Sequence, residues 1–204
     1  MAAKMTETSQ EATAVSRREE SSDFSLVMED GREFKCHKNK LAEASPVFRM
    51  ILMQGGEEAR TNKMKMTEFE PATVESFLDY IYADLKHIPS LNLYMKIFDE
   101  ERLTPELLYM ADMYEMTITR DRTLEHLLNN IQDSNVIDIW AAAETLGHEE
   151  LKKTALDYLG KKGKKMLEVP GFKETFQSPQ MMESLVPFLA DDLTTKDILS
   201  LYLA

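Results

Sequence analysis

The hydrophobic and polar positions near the start of the chain indicate β-strands. Residues 24–28 (FSLVM) form a β-prone stretch, and residues 33–37 (EFKCH) alternate polar and apolar side chains after an Asp-Gly turn signal. This pattern predicts a β-hairpin that points Phe34 and Cys36 inward. Residues 63–66 (KMKM) alternate in the same way and predict a third strand.

Helical spacing dominates most of the remaining chain. Ser45 followed by Pro46 predicts a helix start, because serine is a favoured N-cap and proline a favoured first helical residue. The apolar positions of this helix are Val47, Met50, Ile51 and Met53. Later apolar stripes with helical spacing are Val74, Phe77, Leu78 and Ile81, then Leu124, Leu127, Leu128 and Ile131, then Val136, Ile139, Trp140 and Ala143. The order of elements predicts an α+β fold, in which helices cover a small sheet and a helical extension follows.

Two stretches lack a clear period. Residues 55–63 (GGEEARTNK) contain two glycines, two acids and no large apolar side chain, so we expect an exposed loop. Residues 83–103 carry scattered apolar side chains, but Pro89 and its polar neighbours interrupt any long period. We interpret residues 83–103 as an extended insertion with a short helical piece.

Charge and cysteine content narrow the class of protein. The chain has 204 residues and a formal net charge of −12, with a pI of about 4.9. An acidic chain lacks the basic face that phosphate binding needs, so neither nucleic acid nor an anionic membrane is an expected partner. Cys36 is the one cysteine, so no disulfide can form within the chain, and residues 1–22 contain no apolar leader. These features favour the nucleus and/or the cytoplasm.

The basic run at residues 161–165 (KKGKK) has two interpretations. It could be a nuclear address, or it could be a solvated helix end, where cations are favoured. We favour the helix end.

No pattern for catalysis, cofactor binding or metal binding is present. The four histidines fall on separate predicted elements, and none has a partner at metal-ligand spacing beyond the adjacent Cys36-His37, which a strand points to opposite faces. The sequence has no glycine-rich phosphate loop and no nucleophile elbow. Cys36 could be a nucleophile, but an inward strand position favours a small buried hydrophobe. We therefore expect no enzyme and no cofactor.

Several of these segments together resemble the BTB/POZ family. The segments are Asp23-Phe24-Ser25-Leu26, Phe34-Lys35-Cys36-His37-Lys38, Ser45-Pro46-Val47-Phe48, Phe77-Leu78-Asp79-Tyr80-Ile81-Tyr82 and Leu107-Leu108-Tyr109-Met110-Ala111-Asp112. Asn135-Val136 and Ala143-Glu144-Thr145-Leu146-Gly147 look like the start of the BACK helices that follow many BTB domains. The resemblance covers about residues 23–188, and the most similar subgroup is the MATH-BTB family of speckle-type POZ protein.

The resemblance implies a BTB/POZ fold with an all-α BACK-like extension and a specific division of the chain. We expect a disordered tail, a BTB/POZ domain with the insertion, BACK-like helices and a C-terminal amphipathic helix, at residues 1–22, 23–131, 132–188 and 189–204. We also expect the chain to lack a MATH domain before Asp23.

The function implied by the resemblance is that of an adaptor. MATH-BTB proteins bind cullin-3 and bring a substrate protein to a ubiquitin ligase for ubiquitination and proteasomal degradation. Members of the family also dimerise, usually through a hydrophobic helix before the first strand. Residues 9–22 are poor in apolar side chains, so we expect a weak homodimer, a different dimer surface, or a heterodimer with another BTB protein.

The family's cullin-binding edge maps onto the Pro46 helix and the stretch after it. Its motif is an apolar residue, any residue and then glutamate, which places Gly56 in the apolar slot and keeps Glu58. The candidate cullin-binding residues are Phe48, Met50, Met53, Gly56 and Glu58. Because glycine has no side chain to insert, we expect cullin binding to be weakened by roughly ten- to a hundredfold.

The candidate surface for an unknown substrate protein is the insertion, through Tyr94, Ile97 and Phe98. The alternative is that these three side chains pack onto the core. Two functions thus remain open, a cullin-3 adaptor or regulatory subunit, and an oligomerisation module that pairs with other BTB proteins without productive cullin binding.

Overall fold

The computed structural model describes residues 21–82, 100–173 and 183. These residues belong to two compact units that divide between Arg120 and Asp121. The candidate substrate residues Tyr94, Ile97 and Phe98 lie outside the described residues, as do most of the predicted tail and the whole of the predicted C-terminal helix.

A three-stranded sheet opens the first unit. Its strands are β1 (Phe24–Val27), β2 (Glu33–Cys36) and β3 (Lys63–Lys65), in the order β2-β1-β3. β1 and β2 are antiparallel with Phe24 opposite Cys36, whereas β1 and β3 are parallel. This confirms the predicted hairpin and third strand. Cys36 is fully buried, as its inward strand position predicted.

Helices surround this sheet. They are α1 (Lys38–Ala44), α2 (Pro46–Met53), α3 (Glu57–Thr61), α4 (Pro71–Tyr82) and α5 (Pro105–Met113), with a 3₁₀ turn at Glu100–Arg102. The predicted stripe of α4 forms the middle of the core, since Val74, Phe77 and Leu78 are fully buried. Burial of each such side chain contributes about 1.5–3 kcal/mol to folding.

The exposed loop predicted at residues 55–63 is exposed or half-buried throughout, but helix α3 lies within it, so the prediction of a loop conformation is wrong. Gly56 is the extended N-cap residue, and Glu57 and Glu58 occupy the first turn, where negative charge interacts favourably with the helix dipole. Asn62 then ends the helix in the left-handed conformation with φ of 57°. Both caps are local signals, but five residues are too few to show a helical period.

The second unit is helical over its described residues. Helix α6 (Thr117–Asn129) crosses the boundary between the units, and α7 (Val136–Leu146), α8 (Glu149–Lys162) and a 3₁₀ turn (Gly163–Glu168) follow. α7 packs against α8, and its predicted stripe is fully buried at Val136, Ile139, Trp140 and Ala143. The predicted stripe of α6 is confirmed in part, since Leu127 is buried and Leu124 and Leu128 are half-buried, whereas Ile131 lies beyond the end of the helix. The sequence pattern missed the buried Thr119 and Thr123. No helix among the described residues is long and apolar enough to cross a membrane.

Candidate partner-binding edge

Ser45 fixes the position of helix α2. Its side-chain oxygen accepts a hydrogen bond from the backbone N–H of Phe48 at 3.1 Å, which caps the helix, and Pro46 occupies the first turn. The same hydroxyl donates to the backbone carbonyl of Tyr114 at 2.5 Å. Because Ser45 is fully buried, this pair of bonds ties the start of α2 to the end of α5.

Phe48 forms the inner face of α2. It is fully buried. Its ring stacks on the ring of Tyr114, with centroids 4.4 Å apart and planes 6° apart. Its ring centroid lies 6.1 Å from that of Phe77. Burial, together with the nearby charge of Glu68, raises the pKa of Tyr114 to about 12, so this hydroxyl stays protonated beside the core. Phe48 is therefore not available to a partner, contrary to its inclusion among the candidate binding residues.

Met50 and Met53 form the outer face of the same helix. Each residue advances the helix by about 100°, so both point away from Phe48 and lie beside each other at i and i+3. Met50 is 52% exposed and Met53 is 79% exposed. The sequence stripe treated them as apolar helix positions, and the structure places them on the surface as a pair.

Sequence reasoning missed two further exposed apolar residues. Met113 ends α5 and Ile118 lies in the first turn of α6, and they are 37% and 58% exposed. With Met50 and Met53 they are the exposed large apolar side chains among the described residues. Tyr114, which follows Met113 directly, accepts the hydrogen bond from Ser45, so the end of α5 lies beside the start of α2. A sequence signal for the exposure of Met113 was available, because this residue does not belong to the buried side of α5, which Leu107, Leu108 and Ala111 form.

The two glycines after α2 have different backbone requirements. Gly55 has φ of +69°, the left-handed region that favours glycine, whereas Gly56 has φ of −63° and ψ of −173°, which any residue adopts. A Cβ built on Gly56 would lie 3.1 Å from the Glu58 carboxylate oxygen, which is the end of a flexible side chain. Gly56, which the resemblance assigns to the apolar slot, is thus exposed and able to accept a side chain.

Hydrogen bonds hold α3 to the rest of the first unit. Lys38 Nζ donates to Asn62 Oδ1 at 2.5 Å, and the Ser25 N–H donates to the Asn62 carbonyl at 3.0 Å. Within the turn, the Arg60 N–H donates to the Gly56 carbonyl at 3.1 Å. These hydrogen bonds fix the position of α3, so Gly56 and Glu58 lie at a fixed place directly after the exposed methionines.

The chemistry of this edge suits recognition. It offers thioether surface at Met50 and Met53 and carboxylates at Glu57 and Glu58.

Across the described residues, no group of three or more His, Cys, Asp and Glu side chains could hold a metal ion. The buried thiol of Cys36 contacts the Phe24 carbonyl at 3.7 Å.

Comparisons with known proteins agree on one family. The family model of the BTB/POZ domain matches residues 13–131. The chain is 25% identical over 140 residues to Kelch repeat and BTB domain-containing protein 8 of Xenopus tropicalis, and 23% identical over the same length to that of Homo sapiens. The matched part is 69% of this chain but only 21% and 22% of those relatives, so the chain spans about a fifth of their length.

Two solved structures are also similar. The BTB domain of human gigaxonin has 27% sequence identity and a TM-score of 0.40, and the match covers 54% of this chain and 80% of that one. The BTB domain of zebrafish PATZ1 has 20% identity and a TM-score of 0.40, with coverage of 56% and 85%.

The subgroup is a separate matter from the family. The curated relatives are named for Kelch repeats, whereas the sequence segments favoured the MATH-BTB subgroup, and that finer assignment stays a prediction. The family model matches more than half of the chain and agrees with the α+β architecture of a small sheet covered by helices. The chain therefore belongs to the BTB/POZ domain family.

Proposed function

We propose that this chain is a non-catalytic adaptor or regulatory subunit of a cullin-3 ubiquitin ligase. BTB/POZ domains are generally protein–protein interaction modules, which gives the chain its broad role. The observation that carries the finer proposal is the exposed pair Met50 and Met53 on a helix whose opposite face is locked into the core by Phe48. The sequence resemblance assigns cullin binding to this same helix and the turn after it.

Rigidity supports the proposal. A partner that covers Met50 and Met53 gains apolar burial without having to order the helix first, because Ser45 and Phe48 already fix it. A few well-packed residues supply most of the binding free energy in typical interfaces. Two exposed methionines therefore provide enough apolar surface to anchor a contact in spite of the glycine at position 56.

A calorimetric titration of the full chain with the N-terminal region of cullin-3 tests this function. We expect the wild-type chain to bind, and Gly56→Met to bind roughly ten- to a hundredfold more tightly, since it adds one buried apolar anchor. Gly56→Ala controls for the loss of backbone freedom, and Gln54→Met controls for an added surface methionine outside the slot. Absence of wild-type binding would contradict the proposal.

The empty slot at Gly56 favours a second candidate function. A BTB domain without this anchor could act as an oligomerisation module that pairs with other BTB proteins. Light scattering of the chain alone and mixed with a full-length BTB relative distinguishes the two functions. Mixed dimers without cullin-3 binding would support the oligomerisation module.

The cellular site and the substrate surface are also proposals. The single buried cysteine suits a reducing compartment, so we place the chain in the nucleus and/or the cytoplasm, which cell fractionation checks.

We assign the binding of an unknown substrate protein to Tyr94, Ile97 and Phe98. Alanine substitutions there should reduce substrate capture and leave cullin-3 affinity unchanged.

A further inference from the structure

We propose that Met50 and Met53 form a peroxide-sensitive modification site, and that their oxidation to sulfoxides stops the edge from binding its partner. The second part rests on the proposed function of that edge. The site takes hydrogen peroxide or an alkyl hydroperoxide as its substrate.

The fold separates its methionines by exposure. Five of those that the structure describes are at most 5% exposed, namely Met28, Met66, Met110, Met116 and Met166. Met53, Met50 and Met113 are 79%, 52% and 37% exposed. Because a peroxide must reach the sulfur, we expect sulfoxide to form, among the methionines that the structure describes, first at Met53, then at Met50 and then at Met113.

The oxidation needs no catalytic residue. The thioether sulfur attacks one peroxide oxygen, the O–O bond breaks, and the sulfur–oxygen bond forms. The sulfur loses two electrons and the peroxide gains them. The leaving group is hydroxide from hydrogen peroxide or alkoxide from an alkyl hydroperoxide. It takes the proton from the transferred oxygen, so water or an alcohol, respectively, is released with the sulfoxide.

The location of the two methionines makes their oxidation matter for binding. They lie side by side on one face of α2, so two sulfoxides convert a single apolar patch into a polar one. The opposite face holds α2 in place through Phe48 and Ser45, and neither contact involves Met50 or Met53. Oxidation therefore changes the surface and leaves the fold of the first unit intact.

The cysteine cannot account for such a response. Cys36 is fully buried and its sulfur contacts the Phe24 carbonyl, so peroxide reaches the methionines of α2 before it reaches the thiol. A peroxide effect on binding that occurs while this thiol remains reduced is thus assigned to methionine.

Peptide mass spectrometry of the folded, full chain during a hydrogen peroxide titration tests the modification site. We expect sulfoxide at Met53 and Met50 well before any of the five buried methionines, with Cys36 unchanged. Equal rates at exposed and buried positions would overturn the proposal. Circular dichroism at each peroxide dose checks that the chain stays folded.

Calorimetry with the cullin-3 N-terminal region then tests the consequence for binding. We expect peroxide to weaken wild-type affinity by about tenfold or more and methionine sulfoxide reductase to restore it. The variant carrying Met50→Leu and Met53→Leu keeps apolar volume but has no thioether at these positions. Its affinity before treatment is measured first, and peroxide should leave that affinity unchanged, because neither position then carries a sulfur that can be oxidised.

The possible results separate this inference from the proposed function. Untreated chain that binds, and still binds with both sulfoxides in place, overturns the inference and leaves the proposed function standing. A peroxide loss of equal size in the leucine variant assigns the effect to other methionines and also overturns it. Untreated chain that does not bind contradicts the proposed function and the binding consequence together, while the mass-spectrometric order still decides whether the modification site exists.

Discussion

The outer face of the sheet and the outer face of α2 are both exposed surfaces of the first unit, but their side chains differ in chemistry and in their contacts. On the sheet, Glu33 accepts a hydrogen bond from Lys35 Nζ at 2.8 Å and another from Lys63. Lys35 and Lys63 both stand opposite Ser25, so these charges join β2, β1 and β3. On α2, Met50 and Met53 project into solvent.

The charged groups on the sheet face have partners within the chain, whereas the apolar side chains on α2 remain in contact with water. Opposite charges on the sheet already neutralise one another, and such exposed pairs contribute little to stability. The exposed apolar surface of α2 is unfavourable in water, and its burial by a partner would lower the free energy. We infer that the sheet face is structural and that the α2 face is the binding surface, and the following predictions test that comparison.

The largest expected effect concerns the inner face of α2. Phe48→Ala should lower the free energy of unfolding by about 3–5 kcal/mol, because it leaves a cavity beside Tyr114 and Phe77. Urea denaturation measures the change. Met53→Ala on the outer face is the matched control and should stay within about 0.5 kcal/mol of wild type. Similar losses for the two variants would refute the assignment of inner and outer faces.

The next largest effect concerns binding by the outer face. Met50→Asp with Met53→Asp should reduce affinity for the cullin-3 N-terminal region about a hundredfold, because a partner would have to bury two carboxylates. Calorimetry measures this affinity. Replacement of Lys35 and Lys63 by glutamine removes two charges from the sheet face and should leave the affinity unchanged. A large loss from the sheet variant would mean that the binding surface lies on the sheet.

Local patterns in the sequence were enough to predict most of this unit. The β-prone composition of β1, the alternation in β2 and β3, the Ser45-Pro46 helix start and the stripe of α4 depend on neighbouring residues alone. The face of α2 could not be predicted in this way. The run FRMILM places large apolar side chains all around the helix, so only contacts with Tyr114 and Phe77, far along the chain, determine that Phe48 is buried.

The exposure of apolar side chains in this unit could be predicted only in part for the same reason. The resemblance named Met50, Met53 and Gly56 as candidate residues, but the exposure of Met113 and Ile118 depends on how the chain turns after α5. Glu115 adopts a left-handed conformation with φ of 52° in that turn. Glutamate carries no sequence signal for this conformation, so the exposure of its neighbours follows only from the folded structure.

A smaller effect concerns the two glycines between α2 and α3. Gly55→Ala should lower the free energy of unfolding by about 1–2 kcal/mol, since an L side chain is strained at its positive φ. Gly56→Ala should leave stability unchanged or raise it slightly, because its backbone suits any residue. Chemical denaturation of both variants compares them. A Gly56→Ala chain that is less stable than Gly55→Ala would show that the slot cannot accept a side chain.

The smallest effect concerns the charges on the sheet face. Hydrogen bonds from Lys35 and Lys63 lower the pKa of Glu33 to about 2, from an ordinary value of 4.5. A carboxylate whose pKa is lowered by folding stabilises the folded state above its unfolded pKa, and this contribution is lost as the pH falls through its folded value. The contribution should therefore be complete above about pH 4.5 and disappear towards pH 2.

A double-mutant cycle over Glu33→Gln and Lys63→Gln measures this contribution by urea denaturation at about pH 7 and about pH 2. We expect a small favourable coupling at the higher pH and none at the lower pH, because Glu33 lies at the surface, where water and salt screen its ion pairs. Carbon-detected NMR titration of the Glu33 carboxyl gives its pKa directly. A carboxyl that titrates near 4.5, or a coupling that persists at about pH 2, would mean that the sheet charges do not satisfy one another, and the contrast with the α2 face would then rest on its methionines alone.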